Sequence, residues 1–243
     1  MVSEQGSRVL WVIGAGSGIG RATALAAAAR NRTVVLSGRR VDRLEAVAAE
    51  IAAGGGRAEV IAGDATDADW APATASAIRS MLGPVDEVVA AAGLNSPQRR
   101  WADQTASGFE DVVATNLLGT VRVVDAALPA LRERGGTVVV VSSYSAWSFS
   151  PGAGVAYSAS KSALASVCRT LNAQEAEHGV RATHLCPGDV DTEFLQLRPV
   201  VPDDAARAVM LSPADVARSV LHVLDAPPHV RIDELVISPL SQR

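Results

Sequence analysis

The chain is poor in three things: lysine, cysteine and aromatic residues. Of its 22 basic side chains only Lys161 is not an arginine, there are two cysteines, and aromatics make up 4% of the 243 residues. Cys168 and Cys186 fit no metal-ligand spacing and His178, His184, His222 and His229 are scattered, so neither a metal cluster nor a disulfide framework is expected. No excess of positive charge is present either. The 22 basic residues stand against 26 acidic ones, which speaks against a nucleic-acid binder of the basic-patch type. Apolar stretches such as Ala22 to Ala29 and Thr137 to Val141 fall far short of the roughly 18 residues of a membrane helix, so no bilayer-spanning segment is expected. The opening MVSEQGSRVLWVIGAG carries an acid ahead of a short apolar run and lacks the layout of a secretory signal, so the expected location is cytoplasmic.

What is present is a core. Hydrophobic residues reach 48% and charged ones 20%, and the length suits one α/β domain over residues 1–243. Short β-branched runs alternate with Ala-rich helical stretches. Strands are expected near Val9 to Ile13, Thr33 to Ser37, Ala58 to Gly63, Glu87 to Ala91, Thr137 to Ser142, Arg181 to Cys186 and Glu234 to Ile237. Helices are expected at about 18–30, 41–53, 69–82, 105–132, 156–178 and 213–225. Near-continuous apolar strands separated by helices predict a doubly wound parallel sheet, of the Rossmann type, with helices on both faces. The least regular stretch, about 192–211, follows the sixth strand and suits a substrate cover; Ser212-Pro213 then reads as an N-cap and first-turn proline.

The first strand runs into Gly14-Ala15-Gly16-Ser17-Gly18-Ile19-Gly20 and then a helix, the layout in which backbone N–H groups and a helix N-terminus face a pyrophosphate. Gly14, Ser17, Gly18, Ile19 and Gly20 are the expected contacts. A site for NAD usually has an acid at the tip of the second strand, but that tip reads Leu36-Ser37-Gly38-Arg39-Arg40. Two guanidiniums there suit a 2′-phosphate, so NADP(H) is the expected cofactor, with Arg39 the first choice and Arg40 the second.

Tyr157 and Lys161 stand four apart on an expected helix, so the phenol and the ammonium share one face. The lone lysine of an arginine-using chain, placed four residues after one of its two tyrosines, points to a required compact positive charge. With the glycine turn, Asp64 in Gly63-Asp64-Ala65, Asn116-Leu117-Leu118-Gly119, Ser142-Ser143 and Pro187-Gly188-Asp189-Val190-Asp191-Thr192 in that order, the chain resembles the short-chain dehydrogenase/reductase family over nearly its whole length. The resemblance implies an NADP-dependent oxidoreductase that interconverts a ketone or aldehyde with an alcohol. In it Tyr157 is the general acid or base, Lys161 lowers the phenol's pKa and holds the nicotinamide ribose, Ser143 orients the carbonyl oxygen, and Asn116 holds a relay water. A free phenol ionises near pH 10, so work near neutrality asks for a shift of about 3 to 4 kcal/mol. Asp64 with Ala65 is assigned to the adenine, and Ala91 and Gly93 to backbone contacts. Pro187, Val190 and Thr192 are assigned to the carboxamide end, and a homo-oligomer, dimer or tetramer, is implied. Read singly, each has a less favoured structural alternative: Asn116 as a helix cap or kink, Ser143 as a turn serine and Asp64 as a solvated loop residue.

Three positions depart from the family pattern. Ile13 replaces a usual Thr, Ala90-Ala91 replaces an Asn pair, and Ser143 lies fourteen rather than thirteen residues before Tyr157, an extra residue that Gly152-Ala153-Gly154 can absorb. Ser145, Trp147, Phe149, Phe194 and Leu195 are the expected substrate-pocket residues. Two other readings stay open: a reductase of carrier-bound 3-oxoacyl chains, for which Arg99-Arg100 beside Trp101 offers a small docking patch, and an NADP sensor without turnover.

Overall fold

The computed structural model describes residues 7–242; the leader reading rests on residues 1–6 and so lies partly outside the described residues. In chain order the first half contains β1 (Val9–Ile13), α1 (Gly18–Ala28), β2 (Thr33–Ser37), α2 (Val41–Ala53), β3 (Arg57–Val60), α3 (Trp70–Leu82), β4 (Glu87–Ala90), α4 (Ala106–Val113) and α5 (Gly119–Arg134). The second half contains β5 (Gly136–Val141), α6 (Tyr144–Trp147), α7 (Val155–Gln174), β6 (Val180–Pro187), α8 (Asp204–Arg207), α9 (Pro213–Leu224) and β7 (Glu234–Ile237). The seven strands pair in parallel in the order β3-β2-β1-β4-β5-β6-β7. The chain therefore winds outward from β1 to β3 and returns to start the other half at β4. The connections after β1 and β4 part in opposite directions, which opens a crevice at their C-terminal ends.

Alternation along the strands builds two cores. Leu10 and Val12 of β1 face α1, α2 and α9, meeting Ala24, Leu44 and Val220, while Val9, Trp11 and Ile13 face α3, α5 and α7, meeting Ile78, Val123 and Leu164. With both faces covered, each central strand reads as an unbroken apolar run, and each such side chain contributes about 1.5–3 kcal/mol of burial. The edge strand β3 stops at Val60 rather than Gly63. Beyond it the chain still donates from Ile61 N to Leu36 O (3.1 Å) and from Gly63 N to Gly38 O (2.9 Å), following β2 without continuing the ladder. The Ser212 expectation holds: its hydroxyl accepts from Asp215 N (3.2 Å) while Asp215 accepts from Ser212 N (2.7 Å), a reciprocal cap.

The expected helix over 105–132 is a continuous helical run from 106 to 134 with one π turn, Ala114–Leu118, in the middle. By length and composition alone this run could cross a membrane, contrary to the expectation from short apolar stretches. It lies on the sheet instead, with Val123, Val124, Ala127 and Leu131 in the second core. The π turn carries Asn116, and such single-turn bulges concentrate at functional sites.

Candidate active site

The glycine turn sits at the mouth of the crevice. Gly14 has φ +81°, and a Cβ there would lie 2.8 Å from Ala92 N at the end of β4; a Cβ on Gly20 would lie 2.2 Å from Gly14 O. No larger residue fits either position. Ser37 O accepts from both Gly14 N (2.8 Å) and Ala15 N (3.0 Å), so β2 braces the turn, and the Thr side chain replaced by Ile13 is not needed for this. Ser17 is extended and opens α1, leaving the first N–H groups of that helix directed into the crevice. Ile19 packs against the first core. Thr192 closes over the turn, its Cγ2 only 3.2 Å from where a Gly18 Cβ would stand.

At the tip of β2 three arginines gather. Arg40 Nη2 donates to Ser17 Oγ (3.1 Å), Arg39 Nη1 lies 3.9 Å from Asp64 Oδ2, and Arg43 Nη1 lies 2.8 Å from Glu193 Oε1. Arg43 and Glu193 carry no signal in the sequence that marks them as part of this cluster; they meet only because the loop after β6 folds back over α2. Asp64 is doubly engaged: its Oδ1 accepts from Thr66 N (2.9 Å) and Thr66 Oγ1 (2.8 Å). Burial raises its pKa, but those two donors and Arg39 outweigh burial and hold the carboxyl below its ordinary value. Ala65 packs against Gly119, where a Cβ would stand 3.1 Å from its own. The turn, the helix N-terminus and an exposed group of cations together match a dinucleotide with an extra phosphate.

Tyr157 projects from the first turn of α7 toward the end of β5. Ser143, which caps α6, presents its side chain to the phenol and favours the phenolate. The fourteen-residue spacing thus still brings the two together: Pro151–Ala153 forms a 3₁₀ turn and Gly154 takes φ +87°, which absorbs the extra residue. Ser145 fixes the Ser143 rotamer by donating to its Oγ from both N (3.2 Å) and Oγ (3.1 Å). Ser142 points elsewhere, donating to Lys161 O (3.0 Å).

Lys161 lies one helical turn on and is buried, at 3% exposure, with Nζ donating to Val141 O (2.8 Å) and standing 5.9 Å from the centre of the Tyr157 ring. Burial lowers its pKa from 10.5 to about 8. The phenol does not behave as expected from the sequence. Dense surroundings raise its pKa, and the charges that oppose this are those of Arg99 and Arg198 rather than that of Lys161.

Asn116 braces the site through its side chain. Its Oδ1 accepts from Leu94 N (2.7 Å), and its Nδ2 donates to Leu94 O (2.9 Å) and Ser160 Oγ (3.1 Å). It therefore holds the chain beyond β4, where Ala90-Ala91 have no amides to offer; Ala91 N instead donates to Ile13 O (2.9 Å). Gly93 lies beside this pair, with Asn116 Oδ1 and Lys161 Nζ each 3.7 Å from a Cβ built there. At the end of β6, Pro187 pairs with Ile237 of β7, and Val190 bridges to Leu211.

The expected pocket residues divide. The Phe194 ring stands 6.0 Å from that of Tyr157 and Ser145 is buried against Ser143. Leu195 is buried, whereas Trp147 is 53% and Phe149 87% exposed, so these two form a rim rather than a wall. The Arg99-Arg100 docking patch is corrected as well: Arg99 turns inward and is buried, leaving only Arg100 outside. A further correction concerns clustering, since strand alternation places His184 and Cys186 on one side of β6, and with Glu234 of β7 their ligand atoms lie within 4.8 Å of one another. Glu234 pairs with His184 Nδ1 (3.0 Å), and burial pushes the Cys186 thiol up to about 12.

Comparisons agree with this geometry. The family model described as short chain dehydrogenase matches residues 8–199. A sulfoacetaldehyde reductase of Chromohalobacter salexigens is 33% identical over 241 residues, covering 96% of this chain and 94% of that one. A glycine betaine reductase of Emericella nidulans is 33% identical over 238 residues, but the chain spans only 19% of its length. Among solved structures, an alcohol dehydrogenase of the archaeon Thermococcus sibiricus complexed with 5-hydroxy-NADP is 31% identical, with a TM-score of 0.88 and coverage of 98% of both chains. A tyrosine and a serine facing each other above a glycine turn, on a seven-stranded doubly wound sheet, go with that match over most of the sequence: the chain belongs to the short-chain dehydrogenase/reductase family.

Proposed function

We propose that the protein is an NADP(H)-dependent oxidoreductase that interconverts a ketone or aldehyde with an alcohol. The observation that carries this reading is the meeting of Ser143 and Tyr157 at the end of the crevice whose other end holds the glycine turn and Arg39, Arg40 and Arg43. The residues present fit the cofactor: Gly14 and Gly20 leave no room for a Cβ, the N-terminus of α1 faces the crevice, and the arginines suit a 2′-phosphate. The Thermococcus sibiricus neighbour, bound to an NADP analogue, supports the choice of NADP over NAD.

The cofactor supplies or accepts the hydride when bound. In reduction Ser143 donates a hydrogen bond to the substrate's carbonyl oxygen and Tyr157 delivers its proton to the same atom; in oxidation the phenolate takes that proton back. Burial keeps the phenol protonated, which suits the role of acid. Arg99 and Arg198 ease departure of the phenolic proton, while Lys161, cationic below about pH 8 and one turn along the same helix, would hold the nicotinamide ribose of the bound cofactor. Asn116 keeps the segment around Leu94 in place, so that the floor of the crevice does not shift during turnover.

The carrier-bound alternative loses the docking patch that motivated it, because Arg99 is buried. We also propose self-association, supported by Leu118, just before α5, and Val121, in its first turn, which both stand exposed; sedimentation of the purified protein tests it. Catalysis is tested by following NADPH oxidation against ketones, aldehydes, diketones and acyl thioesters, with Tyr157→Phe in parallel. Turnover that Tyr157→Phe abolishes supports the reading; tight NADPH binding without turnover of any carbonyl supports a sensor.

A further inference from the structure

The charge around Tyr157 is lopsided. Three ionised groups act on the phenol from outside its own helix: Arg99, Arg198 and Asp189. Arg198 and Asp189 pair with each other through Nη2 and Oδ1, which leaves Arg99 as the uncancelled charge. Arg99 is buried, with only 9% exposure, and among the described residues no carboxylate lies within 4.0 Å of it. Its guanidinium is held by three carbonyls from three loops: Ser96 O (2.7 Å from Nε), Gly152 O (3.5 Å from Nη1) and Leu197 O (from Nη2). These loops follow β4, β5 and β6 respectively, and the second runs into α7, where Gly154, three residues before Tyr157, packs against the Arg99 side chain: a Cβ built on it would stand 2.6 Å from Arg99 Cβ.

Carbonyls satisfy N–H groups but do not neutralise a charge, and a buried cation without an anion is among the costliest features a fold can keep. Burial indeed lowers the pKa of Arg99, which marks the charge as uncompensated. Tying loops together needs donors only. A charge held at this cost beside the reacting position is explained by a ligand that brings the missing anion, and a planar guanidinium is the group best suited to grip a flat or tripodal oxyanion. We propose that the substrate is a small carbonyl compound, or the matching alcohol, that carries a carboxylate or sulfonate, and that Arg99, assisted by Arg198, holds this anion while the carbonyl faces Ser143 and Tyr157. This rests on the oxidoreductase reading above and adds the substrate class to it.

The test compares ω-oxo acids of two to six carbons with their methyl esters, using NADPH and the full chain. The ester removes the negative charge and keeps the reacting aldehyde. At least one acid is expected to exceed its ester in kcat/KM by tenfold or more, mostly through KM, with the difference shrinking as ionic strength rises. Arg99→Met is expected to bring that ratio to about one. The ratio is the readout because a loosened loop would slow both members alike. Arg198→Gln, which leaves the three carbonyl contacts of Arg99 untouched, is expected to lower the ratio by a smaller factor, and Asp189→Asn to raise it. Esters turned over as well as the acids would overturn this inference and leave the oxidoreductase reading standing. No turnover of either series, or of the wider panel of neutral carbonyls, would overturn both.

Discussion

Glu193 reaches from the loop after β6 to Arg43 at the start of α2, with Oε1 2.8 Å from Nη1, and its other oxygen stands 3.5 Å from Arg40 Nη1. The contact lies among the arginines proposed above to hold a 2′-phosphate. Glu193 and that phosphate therefore compete for the same two cations. Removing the carboxylate in Glu193→Ala is expected to tighten NADPH binding by about threefold, since exposed ion pairs of this kind are weak, and to leave NADH binding unchanged. Fluorescence titration of both nucleotides checks this, and equal effects on the two would detach Glu193 from the phosphate site.

Arg40 is bonded to Ser17 at the mouth of the turn while Arg39 leans toward Asp64. Charge-assisted hydrogen bonds to a phosphate are worth more than neutral ones, so losing both guanidiniums in the double variant Arg39→Ala/Arg40→Ala is expected to cut the NADPH-to-NADH ratio of kcat/KM by roughly ten- to a hundredfold. The single variants rank the two residues. The sequence favours Arg39; a larger effect of Arg40→Ala would reverse that order.

The pH dependence follows from Lys161. Its pKa in the fold is lowered to about 8 from 10.5, so the ammonium is present below about pH 8 and lost above it, while burial keeps the phenol of Tyr157 protonated beyond that range. For reduction, kcat/KM is expected to be level below pH 8 and to fall about tenfold per pH unit above it, the slope of a single deprotonation. A profile that stays level to pH 10 would mean that Lys161 keeps its proton in the working enzyme.

Neighbouring serines separate chemistry from structure. Ser143 faces the phenol, whereas Ser142 donates to Lys161 O and is buried. Ser143→Ala is expected to lower kcat by about a hundredfold, the scale of one lost donor to a developing oxyanion. Ser142→Ala is expected to cost about 1 kcal/mol of stability through one lost hydrogen bond, seen as a lower melting temperature.

The parts of this site that were legible in the sequence are local in the chain. Gly14 and Gly20 are marked by backbone demands a few residues apart, and Tyr157 with Lys161 by one helical turn. The doubly wound sheet was legible for the same reason, since strand and helix periods are short-range signals. Arg99 was not. It reads as half of an exposed Arg-Arg pair, and only the convergence of loops after β4, β5 and β6 buries it against Gly152 and Leu197, the latter 98 residues away. Glu193 meets Arg43 across 150 residues by the same kind of convergence. The π turn at Asn116 was equally hidden, because a single widened turn leaves the hydrophobic period of the surrounding helix almost unchanged.

At the opposite end of the sheet, away from the crevice, Glu87 opens β4 with its carboxylate fully buried. Arg32 grips it with two bonds, Nε to Oε2 (2.6 Å) and Nη2 to Oε1 (3.1 Å), and Arg8 adds a third to Oε1 (3.0 Å). Asp225 takes the other side of Arg32 Nη2 at 2.9 Å, so α9 is tied to the first strands of the sheet. Glu87→Gln keeps the shape and removes the charge, leaving Arg32 nearly buried with only the more exposed Asp225 to balance it. The loss of one partner of a buried ion pair costs about 3 kcal/mol or more. Urea unfolding should show a free energy of unfolding lower by that amount, seen as a lower midpoint at unchanged slope, while the Kd for NADPH stays at its wild-type value because the change lies at the wrong end of β4 to touch the crevice. Unchanged stability would mean that water reaches Glu87 and screens the pair.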